Sequence, residues 1–411
     1  MRLLHVSDWH LGATLGRLSR EPDHAAVIDE IVGVAADFSP HLILHTGDLF
    51  DGFRPPVEAM RLAMDALRRL GEQAPVVVVA GNHDSRPLFR LFDQILRLNG
   101  GGARVRFVAD VVGYECGPMT FPGDEGETLR LACIPFLHPN ALVNVFATRP
   151  ERWTGKYADG VRNLQDVLRA QLEAGFDPRR DINLYAAHLH VGGAVLARSE
   201  RTVHVSESYA VDPESLPPVS YAAFGHIHKP QKLPGLIPGR YAGSPIQIDY
   251  GELGEQKSVV TVEARPGRSA DVTTVPLSGG RPLVCLEGTL EQLAGVADDH
   301  RGPAIMAVTM VTDEPVRGLA DKVAELFPKA DLYQVHNRVI NQRHTAVEPV
   351  TEDVAESDFR ELFRGFLSEK EGLGPRLSGR LSMLFDRLLD AVESEQEPVL
   401  EEEALIGVEE N

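Results

Sequence analysis

Val76-Val77-Val78-Val79-Ala80-Gly81-Asn82-His83-Asp84 decides how the chain is read. Five consecutive apolar residues, four of them β-branched, are too short for a helix and suit a strand buried on both faces. A glycine and then three residues of polar and metal-ligating chemistry, Asn82, His83 and Asp84, follow at once. In open α/β sheets, ligands gather outside the carboxyl ends of the strands.

The same grammar recurs along the chain. Asp8-Trp9-His10 follows the apolar run Leu3–Val6, and Gly47-Asp48 follows Leu42–His45. His188 follows Asp181–Ala187, and Gly225-His226-Ile227-His228 follows Tyr221–Phe224. Leu129–Ile134 completes the expected strands. Between them, helical periodicity marks Asp23–Phe38, Val57–Leu70, Pro87–Leu98 and Ala158–Ala174, so the fold class is α/β. Pro55-Pro56 opens the second helix and Gly71 is expected to stop it.

A lone Asp-x-His or Gly-Asp carries almost nothing. Five such clusters, each closing a strand, bring carboxylates, an amide oxygen and imidazoles to one edge. Oxygen and nitrogen donors without thiolate suit manganese, iron or zinc. The seven candidate ligands are Asp8, His10, Asp48, Asn82, His188, His226 and His228. They are too many for one cation and about right for two divalent ions sharing a carboxylate, the arrangement of two-metal phosphoryl chemistry. His190 competes with His188 two positions on, and His188 is preferred because it directly ends its strand. His5, His24 and His45 read as core or loop residues. The glycines beside Asp48, Asn82 and His226 are expected to let the backbone turn sharply.

The ordered set D-x-H, G-D, G-N-H-D, a lone His and G-H-x-H resembles the calcineurin-like metallophosphoesterase family over roughly residues 1–265. The resemblance implies a four-layered α/β/β/α fold. It assigns Asp8, His10, Asp48 and His228 to one cation, and Asp48, Asn82, His188 and His226 to the other, with manganese the foremost metal. It makes Asp48 the bridge, His83 the group that assists the leaving oxygen, and Asp84 the group that orients or tunes His83. Asp51 and Phe53 occupy a stretch where some relatives carry a further histidine.

Within that family, Leu3–Gly12, Gly47–Asp51, Gly225–Gln231 and Tyr241–Pro245 are similar to the nuclease subunits of DNA break-repair complexes. What this implies is a partner, a coiled-coil ATPase, and a substrate, double-stranded DNA ends and hairpins. It also implies a homodimer within a heterotetramer. Arg17, Arg20 and Lys229 flank the motifs and are candidate phosphate contacts.

The domains read as 1–270 for the nuclease body, 281–345 for a small α/β cap, 350–395 for a helix pair, and 396–411 for an acidic tail. The cap alternates strand, helix, strand, helix, strand from Leu283 to Val339, after a Gly- and Pro-rich boundary at Arg265–Gly280. In the helix pair, Phe359, Leu362, Phe363 and Phe366, then Leu381, Leu384, Phe385 and Leu388, fall at helical spacing and form apolar faces. They either bury each other or dock into the ATPase partner, to which the resemblance assigns them.

The net charge of −19 argues against a broad phosphate-gripping surface, although nine of those negative charges lie between Asp390 and the terminus. Three cysteines, far apart, suit a reducing compartment. No apolar run reaches membrane-spanning length and the opening residues do not read as a leader, so a cytoplasmic, nucleoid-associated location without a membrane is expected.

Overall fold

The computed structural model describes residues 1–98, 104–113, 117–137, 157–197, 199, 210–340, 363–365, 367 and 375–393. They fall into two units. Residues 1–137 and 151–341 form one; 138–150 and 342–411 form the other.

The first unit carries two six-stranded sheets. In spatial order, one runs Asp271–Pro276, Ser258–Glu263, Arg2–Val6, Leu42–His45, Val76–Val79 and Val105–Val108. Its last four strands are parallel and its first two antiparallel. The other runs Gln231–Lys232, Gly239–Tyr241, Tyr221–Gly225, Asp181–His188, Thr128–Ile134 and Met119–Pro122.

The valine run shows why the sheets stack. Val76 and Val78 face a core shared with helices Glu21–Phe38 and Val57–Gln73, through Val27, Ile31, Ala63, Ala66 and Leu67. Val77 and Val79 face the other way, onto Leu131, Leu184, Ala186 and Tyr221 of the second sheet. Each valine is at most 1% exposed, and burial of such a side chain contributes about 1.5–3 kcal/mol. Helix Tyr157–Glu173 lies against the second sheet, where Gln165 donates to the Tyr185 hydroxyl and Asn183 to the Leu172 carbonyl. The layers are therefore α/β/β/α.

Two expectations change. Asp271–Pro276 is a strand of the first sheet and not a boundary: it pairs along its whole length with Ser258–Glu263. Its exposed alternation marks an edge, where polar residues are tolerated. The second helix runs past Gly71 to Gln73, and Gly71 is buried where a Cβ would press on Val105.

The cap is a three-stranded parallel sheet of Leu283–Gly288, Ala304–Thr312 and Ala330–Val339, with helices Leu290–Val296 and Leu319–Leu326 sharing its core. It is fastened to the body. Tyr333 stacks on Tyr250, and Leu283 and Ile305 bury with Leu15 of the hairpin Thr14–Ser19. Arg281 bridges Asp23 of the body (2.8 Å) and Asp331 of the cap (2.5 Å).

In the second unit, helix Pro375–Glu393 is described together with Phe363–Gly365 and Leu367. Phe363 stacks on Phe385 at 4.1 Å and Arg364 pairs with Asp386. Leu381 and Leu384 are half-buried. Phe359, Leu362 and Phe366 lie outside the described residues, as does the side chain of Leu388. Among the described residues no helix is long and apolar enough to cross a membrane.

Candidate metal centre

Five strand ends deliver their side chains to one place. Asp8, His10, Asp48 and His228 offer ligand atoms within 4.8 Å of one another, and so do Asp48, His188 and His226. Asp48 belongs to both groups. All of these residues are buried.

Asn82 completes the second group: its Oδ1 lies 2.9 Å from His188 Nε2 and 2.7 Å from His226 Nδ1. His188 Nδ1 donates to the Thr46 carbonyl at 2.8 Å, which turns Nε2 toward Asp48 Oδ2 at 3.4 Å. His188 thus takes the place for which His190 also competed, and His190 belongs to neither ligand group. In the first group, His10 Nε2 lies 3.1 Å from His228 Nε2 and 3.6 Å from Asp48 Oδ2. Asp8 accepts from the His226 backbone N–H through Oδ1, while its buried Oδ2 has no hydrogen-bond partner among the described residues. A buried carboxylate oxygen without a donor, beside converging imidazole nitrogens, is a set of donor atoms that divalent cations fit.

The backbone is bent to achieve this. Asp8, His10, Asp48 and His226 take φ of 51°, 49°, 51° and 99°, the left-handed region that residues with a Cβ seldom adopt. The glycines act differently from expectation. Gly47 has a positive φ, but Gly81 and Gly225 do not. They are glycine because of close approach: a Cβ on Gly81 would overlap Asp48 Oδ1, and one on Gly225 would overlap Ser7 Oγ and the Thr46 carbonyl.

Burial and mutual charge set the protonation states. Burial alone would raise the Asp48 carboxyl, but His188, His83 and His10 hold it well below the usual range. Burial pushes the Asp8 carboxyl up, with the neighbouring histidines opposing. Burial works against a charged His188, yet Asp48 and Asp8 raise it to about 9 in the metal-free chain. His5, His24 and His45 are pushed down by burial to about 3, 4 and 3. They are buried residues outside the ligand groups, and His5 is bonded to Tyr221 and Thr46.

His83 stands beside the ligands, its ring 4.7 Å from that of His10. Its backbone N–H donates to Asp48 Oδ1 and its Nδ1 to the Asp51 carbonyl, both at 2.8 Å. Orientation of His83 therefore comes from Asp51. The Asp84 carboxylate instead accepts backbone N–H groups of Gly81, Phe50 and Leu49, tying the loop that carries Asn82 to the loop that carries Asp48. Burial and the Asp48 charge push Asp84 up to about 7 against those three donors.

The basic candidates separate. Arg20 is buried, pairing with Asp23 at 2.7 Å and donating to the Gln247 carbonyl, so it is structural and not a phosphate contact. Arg17 is exposed at the tip of the hairpin that packs on the cap. Lys229 is partly exposed, 4.0 Å from Glu255.

Three residues were not singled out from sequence as part of the centre. Asp51 Oδ1 lies 3.1 Å from His10 Nδ1. Glu252 Oε1 lies 3.1 Å from His228 Nδ1, and burial of that carboxyl is overridden by His228 and Lys257, which hold it well below the usual range. Phe136 packs against the rings of His188 and His226. Asp51 closes the Gly47–Asp51 stretch, whereas Glu252 and Phe136 sit in no local motif and are brought in only by the chain's topology.

The sequence matches the calcineurin-like phosphoesterase family over residues 1–230. SbcD of the nuclease SbcCD from Bacillus subtilis is 32% identical, over 69% of this chain and 71% of that protein. The SbcD protein of Escherichia coli K12 is 27% identical, over 97% of this chain and 100% of its own length. That of Rhodobacter capsulatus is 29% identical, over 77% and 82%. With the motif residues gathered at one buried centre and the likeness running through cap and C-terminal helix, the chain belongs to the SbcD branch of the calcineurin-like phosphoesterases.

Proposed function

We propose that this chain is the nuclease subunit of an SbcCD-type complex, hydrolysing DNA phosphodiesters with two divalent cations, manganese foremost. The observation that carries the reading is the overlap of two buried ligand groups at the Asp48 carboxylate. When bound, such a cation pair supplies Lewis acidity and an activated nucleophile for displacement at phosphorus.

The chain's own residues do the rest. Asp48 spans both groups, and its Oδ1 accepts the His83 backbone N–H, so bridge and catalyst are held in one register. Donation of His83 Nδ1–H to the Asp51 carbonyl makes Nε2 the nitrogen that exchanges a proton with the departing sugar oxygen. Asp84 keeps the two ligand loops together.

The proposed substrates are duplex ends, for exonuclease action, and hairpins, for endonuclease action. Arg17 and Lys229 are the candidate phosphate contacts; the strongly acidic chain makes a basic partner necessary for tight DNA binding. Residues 350–395 would dock on an SbcC-like coiled-coil ATPase through the face carrying Leu381, Leu384 and Phe385, within a heterotetramer built on a homodimer in the cytoplasm.

The test uses the purified full-length chain with manganese, alone and with the ATPase. The complex is expected to degrade linear duplexes and open hairpins. Removing residues 350–411 should abolish partner capture while sparing hydrolysis of small phosphate esters. Intact DNA alongside rapid hydrolysis of small esters or cyclic nucleotides would instead identify a stand-alone metallophosphoesterase.

A further inference from the structure

Behind His228 lies a buried polar assembly that no ligand role explains. Glu252 is completely buried. Its Oε1 faces His228 Nδ1 at 3.1 Å and accepts from the Ser199 hydroxyl. Its Oε2 pairs with Lys257 Nζ at 2.6 Å and accepts from Ser244 Oγ (3.2 Å) and the Ile248 backbone N–H (3.1 Å). Lys257 Nζ also donates to the His228 carbonyl at 3.1 Å and pairs with Glu255 at 2.9 Å. Ring and backbone of His228 are thus held from one segment, residues 252–257.

The chemistry of His228 Nδ1 follows from its neighbours. Ser199 Oγ, 2.7 Å away, has its hydrogen committed to Glu252, so both groups facing Nδ1 are acceptors. Nδ1 must carry the proton, and Nε2 then turns its lone pair to the centre. His10 has a carboxylate behind it too, but the Asp51 side chain is 44% exposed whereas that of Glu252 is 0%. Water can replace Asp51. It cannot readily replace Glu252, whose loss would strip the buried Lys257 and His228 Nδ1 of the carboxylate they share and release the Ser199 hydroxyl that it holds.

We infer that Glu252, seated by Lys257, is a positioning residue for His228 that sets the affinity of the cation site formed by Asp8, His10, Asp48 and His228, leaving the neighbouring site largely to itself. The inference rests on the two-cation reading of the centre. Outer partners of ligating histidines contribute about 10–100-fold in metal affinity.

Manganese titration of the full-length chain by calorimetry, with electron paramagnetic resonance of the bound ions, tests it. Wild type is expected to take two ions. Glu252→Ala should weaken one of them about 10–100-fold and lose the spin-coupled signal at low manganese, with recovery at high manganese. Glu252→Gln, which preserves volume, should show a smaller loss and guards against misfolding of the alanine variant. Two ions bound with unchanged affinity in both variants would overturn the inference. So would equal weakening of both sites in step with a lowered Tm, the mark of a merely structural role. Absence of manganese from wild type would overturn the two-cation reading itself, and the inference with it.

Discussion

His10 and His228 meet through their Nε2 atoms at 3.1 Å, and the Nδ1 of each is turned to a carboxylate, Asp51 for one and Glu252 for the other. Two nitrogen lone pairs at that separation repel unless a proton or a cation joins them. The centre is therefore completed by what binds there. Manganese at a hundred times its dissociation constant should stabilise the fold by about 2.7 kcal/mol for each site it fills. Thermal unfolding with manganese and with chelator measures this; an unchanged Tm would count against the ligand assignment.

Asp48 is the residue whose loss should cost both cations. Asp48→Ala is expected to lower turnover at least a thousandfold, equivalent to about 4 kcal/mol of barrier. Gly81→Ala should come close to that effect without replacing a ligand residue, because its Cβ would displace the Asp48 carboxylate. Metal content by mass spectrometry and cleavage rates decide both.

The proton traffic of the metal-free centre has a definite sign. His188, raised from 6.5 to about 9, contributes stability that is complete below about pH 6.5 and lost as pH rises through about 9. Asp48, depressed below 3.8, contributes above that value and loses its contribution as pH falls through its folded pKa. Cation binding needs neutral His188, so uptake at pH 7 should release about one proton from it and progressively less above pH 9. Calorimetry in buffers of different ionisation enthalpy reads the release directly.

His83→Gln should separate catalysis from metal binding. Turnover is expected to fall about 10²–10⁴-fold with manganese content unchanged. Equal loss of metal and activity would make His83 a ligand.

Arg281→Ala should loosen the cap, because one guanidinium joins Asp23 to Asp331. A loss of about 2 kcal/mol is expected for charged hydrogen bonds that are only partly exposed. Hydrogen exchange should quicken first along Ala330–Val339.

Six of the candidate ligands stood out because each closes a strand within a short motif, so local sequence carries both identity and place; His188 stands alone and was preferred over His190 only by its position at the strand end. Glu252 was not legible: its meeting with His228, 24 residues away, depends on how the Tyr250–Glu252 turn folds back under the strand end. Arg20 misled for a related reason. A loop arginine near a motif reads as solvent-facing, yet Asp23 and the distant Gln247 carbonyl draw it inward. Asp271–Pro276 was misread because an edge strand has one face to hide and its polar alternation resembles a linker.

The left-handed backbone at Asp8, His10, Asp48 and His226 has a last consequence. Each such residue holds back about 1–3 kcal/mol from the metal-free fold, so the working centre is a local weak point in an otherwise well-packed body. Asparagine tolerates that backbone better than most side chains and carries no buried charge. Asp8→Asn, which replaces the one of these carboxyls that burial pushes up, should then lose hydrolysis yet survive heating in chelator longer than the native chain. Heat tolerance and hydrolysis would be competing traits written into the same four peptide units.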